Sequence, residues 1–333
     1  MNKNKIYKNQ DVPEHFIDNK VIGIIGYGNQ GRAQALNLKD SGLKVIIGLR
    51  KNSQSKIKSD KDGFSDVLDI EQLVKKSDLI CFMLPDEEIP NMFVKKVRNQ
   101  LRPNQTLLFS HGYCVHFKKI DIPDFVNVIM VAPSGAGKMV RQEYLNNSGV
   151  PNLLAVHQDY TKTAFQIALS YSKAIGGTRV GAFVSSFEEE TVTDIFGEQA
   201  ILTGGIPALI RNSFDVLVES GYSPVVAWFV CYYEVKSIID LFHDKGFEFL
   251  NHSISNLAEY GGLTRGDFLI DNQLKLKMKK MINEIQNGDF VSEWDDEKNN
   301  GNLLLKNKRS IIKSSEIEKM NKKMLKILFK KTD

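Results

Sequence analysis

The sequence predicts a two-domain α/β protein, with a doubly wound parallel sheet over residues 1–183 and an all-helical domain over residues 184–330. Three observations predict it. Short apolar runs alternate with helical stretches through residues 20–183. Those runs are nearly continuous in apolar residues, as in parallel strands buried on both faces. After Phe183 the runs stop and helical periodicity takes over.

In order, VIGIIG (21–26) reads as a strand, residues 30–40 as a helix and KVIIGL (44–49) as the next strand. DLICFML (78–84), TLLFS (106–110), VNVIMVAP (126–133) and NLLAVHQ (152–158) continue the series, with a helical stretch from about Glu88. Beyond the boundary, helices are expected near 188–200, 206–219, 224–245, 272–288 and 315–330.

Between the first strand and its helix stands Gly26-Tyr27-Gly28-Asn29-Gln30-Gly31. A G-x-G-x-x-G in that context is a Rossmann dinucleotide fingerprint. The first glycine permits a tight turn, the second lets backbone approach a pyrophosphate, and the third lets helix and strand pack closely. The helix N-terminus then faces the phosphates. The second strand ends in Arg50, Ser53 and Ser55, with no carboxylate to hold a ribose 2′-hydroxyl. Arginine and hydroxyls suit a 2′-phosphate, which predicts NADPH.

Asp194 and Glu198, spaced i, i+4, share one helix face. Spacing alone leaves two readings open: oxygen ligands for a hard cation such as Mg²⁺, or an acidic face continuing from Glu188, Glu189 and Glu190. Glu234 lies in AWFVCYYEVKSIIDLF, whose apolar character predicts a mostly buried helix. A charge there needs a metal or a pair such as Lys236.

Composition narrows the classes. The chain has 333 residues, 42% hydrophobic and 25% charged, with formal net charge +4. The lysines of residues 306–331 read as a solvated helix face, so no nucleic-acid partner is expected. Cys81, Cys114 and Cys231 show no metal-ligand spacing and read as free thiols of a reducing compartment. The N-terminus is polar, and no apolar run approaches a membrane span. A cytoplasmic protein with no membrane partner is expected.

From about residue 15 to 330 the chain resembles ketol-acid reductoisomerases of the shorter, class I type. The stretches that carry the resemblance, in order, are IIGYGNQG, the GLR turn with its S-x-S, LPDE (84–87), SHGYCVHF (110–117), GVP (149–151), AVHQD (155–159), GGTR (176–179), TDIFGEQ (193–199) and SISNLAEYG (253–261). The resemblance implies conversion of 2-acetolactate or 2-aceto-2-hydroxybutyrate to a 2,3-dihydroxy-3-methyl acid, on the route to branched-chain amino acids. It implies an Mg²⁺-dependent alkyl migration followed by reduction with NADPH. It also implies a knotted helical domain shared between two subunits, hence a homodimer or larger assembly.

Residue by residue, the resemblance makes His111 the catalytic histidine beside the nicotinamide. It assigns Gly26, Tyr27, Gly28, Asn29, Gln30, Gly31, Arg50, Ser53, Ser55, Pro85 and Asp86 to the cofactor. It makes Asp194 and Glu198 metal ligands, and implies that Glu234 and Ser255 serve the metal and the substrate carboxylate from a partner subunit. Two positions depart from the family pattern. Ser134 stands where the A-P-K-G-P-G segment carries lysine, and Val230 stands where the later helix carries the first of two glutamates. Val192 and Tyr233 replace a frequent glutamate and a histidine. These departures leave three functions open: the family reaction in an altered site, an NADPH-dependent reductase of another small 2-keto or 2-hydroxy-keto acid without migration, and a non-catalytic NADPH-binding relative.

Overall fold

The computed structural model describes residues 5–65 and 67–329. It divides into two compact units, residues 1–191 and 192–333.

The first unit is built on a nine-stranded sheet: β1 (Ile6–Tyr7), β2 (Val21–Ile25), β3 (Lys44–Gly48), β4 (Val67–Leu68), β5 (Leu79–Phe82), β6 (Thr106–Phe109), β7 (Asn127–Pro133), β8 (Asn152–Gln158) and β9 (Ala182–Val184), in the order β1-β9-β8-β7-β6-β5-β2-β3-β4. Its helices are α1 (Asn29–Asp40), α2 (Ser55–Lys61), α3 (Ile70–Lys76), α4 (Ile89–Met92), α5 (Tyr113–His116), α6 (Gly137–Leu145), α7 (Ala164–Ala174) and α8 (Gly177–Val180). Ile22, Ile24, Ile25, Leu79, Ile80, Leu107 and Leu108 are fully buried, as strands covered on both faces require.

The sheet is mostly parallel, with two exceptions to the all-parallel expectation. β8 runs antiparallel to β7, and β1 antiparallel to β9. A strand buried on both faces reads the same in either direction, so apolar continuity fixes burial and leaves polarity open. The two-residue strands β1 and β4 and the three-residue β9 are too short to show a period of their own. The stretch from Glu88 is irregular, with α4 passing into a π-turn over Phe93–Val97 and a 3₁₀ turn over Arg98–Gln100.

The chain continues through α9 (Phe187–Gly197), a π-turn (Glu198–Leu202), α10 (Gly205–Glu219), α11 (Pro224–Trp228), a second π-turn (Phe229–Tyr233), α12 (Val235–Ser253), α13 (Asn256–Leu269), α14 (Asn272–Gln286), α15 (Asp289–Asn299), α16 (Leu303–Ser314) and α17 (Glu316–Phe329). The second unit has a small core in which Phe214, Ala227 and Trp228 pack with Ile317 and Met324. α13, α15 and α16 add to the expected helices. Three glycines weaken the helical signal of α13, and α15 and α16 sit in charged sequence that reads as surface.

One expectation is corrected here. The helix around Glu234 is not mostly buried: Ala227 and Trp228 are, whereas Val230, Tyr232, Tyr233 and Glu234 are exposed and α12 has no buried residue. Apolar sequence there covers more surface than one chain's own core can bury. The helical run of residues 187–219 is long and apolar enough to pass for a membrane span by length and composition alone.

Candidate active site

Three neighbouring parallel strands end at one level. Ile25 lies opposite Phe82, and Phe82 opposite Phe109. Their next residues deliver Gly26–Gly28, Met83–Asp86 and Ser110–His111 to the same edge. From β2 the chain builds outward through β3 and β4, then returns to the other side with β5. A loop crevice at such a switch point is where doubly wound sheets bind ligands.

Each glycine of the fingerprint has a distinct steric reason. Gly26 has φ +96°, and a Cβ there would lie 2.5 Å from the Met83 carbonyl oxygen. A Cβ on Gly31 would lie 2.4 Å from the Gly26 carbonyl oxygen, whereas a Cβ on Gly28 would meet nothing within 4 Å. Gly26 and Gly31 are therefore required by packing, and Gly28 keeps open a space the protein does not itself fill. Gly28 also caps α1 without a side-chain bond, so the first amides of the helix remain available to an anion. These features fit a dinucleotide pyrophosphate.

A cavity of about 320 Å³ lies there, lined by Gly28, Asn29, Gln30, Pro85, Asp86 and His111 of the expected residues, and also by Met83, Ile89, Phe109 and Ser110. Gln30 donates to the Gly135 carbonyl at 2.8 Å, and a Cβ on Gly137 would lie 2.2 Å from the Asn29 carbonyl oxygen. The segment that holds Ser134 is thereby packed against the glycine loop. Beneath it, the buried Gln34 donates to the Ser110 hydroxyl and accepts from Tyr171.

His111 sits between two acids. Its Nδ1 donates to Asp86 Oδ2 at 2.9 Å, and its Nε2 lies 3.9 Å from Glu190 Oε2. Glu190 is 5% exposed and accepts from the Gly112 amide at 2.7 Å. Gly112 can be nothing larger, since a Cβ would meet Thr191, Phe187 and Glu190 at 2.4–3.0 Å. Glu190 is not among the residues that the sequence singles out. The signal that could have found it is the four-residue recurrence Glu190, Asp194, Glu198, which separates it from the exposed Glu188 and Glu189.

Other expected residues lie outside the cavity lining. The Tyr27 ring is buried and its hydroxyl donates to Asp62 at 2.8 Å; burial raises its pKa, and only the backbone of Tyr27 can meet a cofactor. Arg50 is exposed, with Nη1 3.3 Å from Glu88. Ser53 accepts from the Ser55 amide at 3.3 Å within one turn.

In the second unit, Asp194 and Glu198 are exposed on consecutive turns. Exposed carboxylate oxygens at this spacing suit a hard divalent cation. Among the described residues no three acidic, histidine or cysteine side chains converge as a metal site. Glu234 is the N-cap residue of α12, and Lys236 pairs with Asp240 rather than with it. Ser255 caps α13, accepting from the Ala258 amide at 3.3 Å. The two π-turns of the second unit include positions expected at the metal site, one starting at Glu198 and the other containing Val230. Such turns are frequent at functional sites.

Residues 16–181 match the family model for the acetohydroxy acid isomeroreductase NADPH-binding domain, and residues 187–329 that for the ketol-acid reductoisomerase C-terminal domain. The chain is 46% identical over 323 residues to a ketol-acid reductoisomerase (NADP(+)) of Methanocaldococcus jannaschii, covering 97% of this chain and 98% of that one. It is 42% identical over 324 residues to the enzyme of the same name from Methanopyrus kandleri, again covering 97% and 98%. Among solved structures, an NADH-preferring ketol-acid reductoisomerase from an uncultured archaeon is similar with a TM-score of 0.94 at 39% identity, covering 98% of this chain and 100% of that one.

Proposed function

The chain belongs to the class I ketol-acid reductoisomerase family, an NADP-dependent oxidoreductase of branched-chain amino-acid biosynthesis, and from that premise we propose how its residues divide the reaction. The observation that carries the reading is His111 held by Asp86 at the mouth of the glycine-loop cavity, with Glu190 behind it.

When bound, NADPH supplies a hydride and Mg²⁺ polarises the substrate carbonyl. The amides of residues 26–31 receive the pyrophosphate, with the backbone of Pro85 and Asp86 alongside. Arg50, Ser53 and Ser55 receive the 2′-phosphate. Breaking the Arg50–Glu88 contact is cheap because both groups are solvated. Asp86 fixes the plane of His111 by accepting from Nδ1, and the proton passed to the oxygen of the reduced carbonyl leaves Nε2 of a His111 protonated on both nitrogens. Asp194 and Glu198 would hold the cation from one chain, and Glu234 of the partner subunit with Ser255 of the partner subunit would complete the cation and carboxylate contacts. The assembly is a homodimer or a multiple of it, with interleaved helical domains. Three cysteines without disulfides agree with a cytoplasmic location.

Ser134 and Val230 weaken the migration more than the reduction. Migration develops negative charge on two substrate oxygens, and a lost lysine and a lost carboxylate ligand both act there. Each such loss costs roughly 100- to 1000-fold in rate, by analogy with deletion of an oxyanion-hole donor. Hydride transfer keeps the cofactor cleft, one cation site and His111. The test compares NADPH oxidation with 2-acetolactate, which needs both steps, and with 3-hydroxy-3-methyl-2-oxobutanoate, which needs reduction alone. The ready-made keto acid is expected to turn over faster, and Ser134→Lys with Val230→Glu to narrow the gap. Equal rates in the unaltered protein contradict the reading of these positions, and no turnover of either compound contradicts the site.

A further inference from the structure

A second cavity, of about 470 Å³, lies wholly within the first unit, between the segment of residues 9–18 and the ends of α1 and α7. It opens where Asp18 leads into β2 and Leu43 leads into β3. Gly28 and the cofactor cavity are at the other end of those strands. No part of the reaction described above uses it.

Its wall carries groups with bonding capacity to spare. Arg179 Nη1 donates to the carbonyls of Tyr144 and Ser148 at 2.8 and 3.0 Å, and the guanidinium lies 4.2 Å from the Tyr144 ring centroid. The group is thus held in place. Its Nε–Nη2 edge, the edge that takes a carboxylate with two parallel bonds, has no partner among the described residues. The ammonium of Lys173, also on the wall, has no carboxylate partner among them either. Ser170 is 7% exposed and its Oγ has no hydrogen-bond partner. A buried hydroxyl in that state costs free energy that a ligand oxygen recovers.

Opposite charge stands at the rim, where Glu14 and Asp18 flank His15, which bonds Asp18 at 2.7 Å. Val12, Ile17 and Leu43 supply apolar surface. Two cations, two carboxylates, a buried hydroxyl and an aliphatic wall suit a ligand with both charges and an apolar side chain. A simple anion such as phosphate is repelled by Glu14 and Asp18.

We propose that this cavity binds a small aliphatic α-amino acid as its zwitterion. The carboxylate sits on the open edge of Arg179, with Lys173 and Ser170 beside it. The ammonium faces Glu14 and Asp18, and the side chain rests on Val12, Ile17 and Leu43.

Calorimetric titration of the full chain with L-leucine tests this, alongside 4-methylpentanoate, which lacks the ammonium, 3-methylbutylamine, which lacks the carboxylate, and inorganic phosphate. Saturable leucine binding is expected with and without NADPH, with each single-charge analogue and phosphate at least about tenfold weaker. Lys173→Ala and Glu14→Gln alter exposed side chains; each is expected to weaken leucine binding by about tenfold while leaving NADPH affinity unchanged. Arg179→Lys, checked by its melting temperature because Arg179 also braces Tyr144 and Ser148, is expected to do the same. Absence of saturable leucine binding, equal binding of 4-methylpentanoate or phosphate, or unchanged affinity in both Lys173→Ala and Glu14→Gln overturns the proposal. Loss of leucine binding in His111→Gln also overturns it, because the amino acid would then occupy the cofactor cavity.

Discussion

His111 depends for its orientation on acids from two other segments. Asp86 arrives from the loop after β5, and Glu190 from the helix that follows β9. Asp86→Asn keeps the size of the side chain but can present an N–H to Nδ1, which favours the other tautomer. It is expected to lower kcat by about 100-fold or more with little change in the KM for NADPH, measured by steady-state kinetics. A fall in cofactor affinity alone would make Asp86 only a binding contact. Glu190→Gln is expected to lower kcat less, since an amide oxygen can still accept from the Gly112 amide.

At the same scale, Asp62 illustrates a structural charge. It receives bonds from Arg32 at 2.7 and 2.9 Å and from Tyr27, and the Arg32 bonds in particular hold its pKa below the ordinary carboxylate value. A folded-state pKa lowered in this way adds stability above the unfolded-state value, and that stability is lost as pH falls through the folded-state value. Asp62→Asn is therefore expected to cost about 1 kcal/mol near neutral pH, modest because Arg32 is half exposed. The difference from the unaltered protein should shrink as the solution is acidified below the usual carboxylate range. Urea denaturation at several pH values reads it, and a difference that grows on acidification contradicts the assignment.

Among elements, the glycine loop separates folding from binding. Gly31→Ala drives a methyl into the Gly26 carbonyl at 2.4 Å and is expected to cost about 1–3 kcal/mol of stability, as overpacking does. Gly28→Ala meets nothing, so it is expected to leave the melting temperature unchanged and to weaken NADPH binding, because the methyl occupies the space kept for phosphate. Thermal melts and cofactor titration of the two variants read the contrast. A stable Gly31→Ala, or an unimpaired Gly28→Ala, contradicts the roles assigned.

The same elements show what sequence can carry. The glycine loop is legible because backbone sterics leave few alternatives at Gly26 and Gly31. The central strands β2, β5 and β6 are legible because burial on both faces demands apolar continuity. Glu190 is not, because it differs from Glu188 and Glu189 only in what surrounds it after folding. The direction of β8 is not, because it is a property of the pairing and not of the strand. α13 is obscured by glycines that oppose isolated helix formation. The exposure of Val230 and Tyr233 is invisible in a pattern that registers only how apolar a helix is.

For the whole molecule, the exposed apolar surface of the second unit is the feature that matters. On α13, Leu257 is 82% and Phe268 79% exposed, and Phe247 on α12 is 71% exposed. Apolar side chains exposed in such numbers are what association with a second copy would cover. Glu234 and Ser255 cap these two helices, so association would be expected to complete the site. Light scattering is expected to find a dimer or a multiple of it, and a stable monomer with full activity contradicts the sharing of sites.

The most direct measurement is complementation between two inactive chains, His111→Gln and Glu234→Gln. Each alone is expected to be nearly inactive, whereas coexpression assembles mixed dimers. In each mixed dimer one site joins an intact His111 with an intact Glu234 of the partner subunit. Random pairing predicts recovery of about a quarter of the unaltered activity. If the purified mixed dimer has no more activity than its parents, His111 and Glu234 do not meet across the subunit boundary.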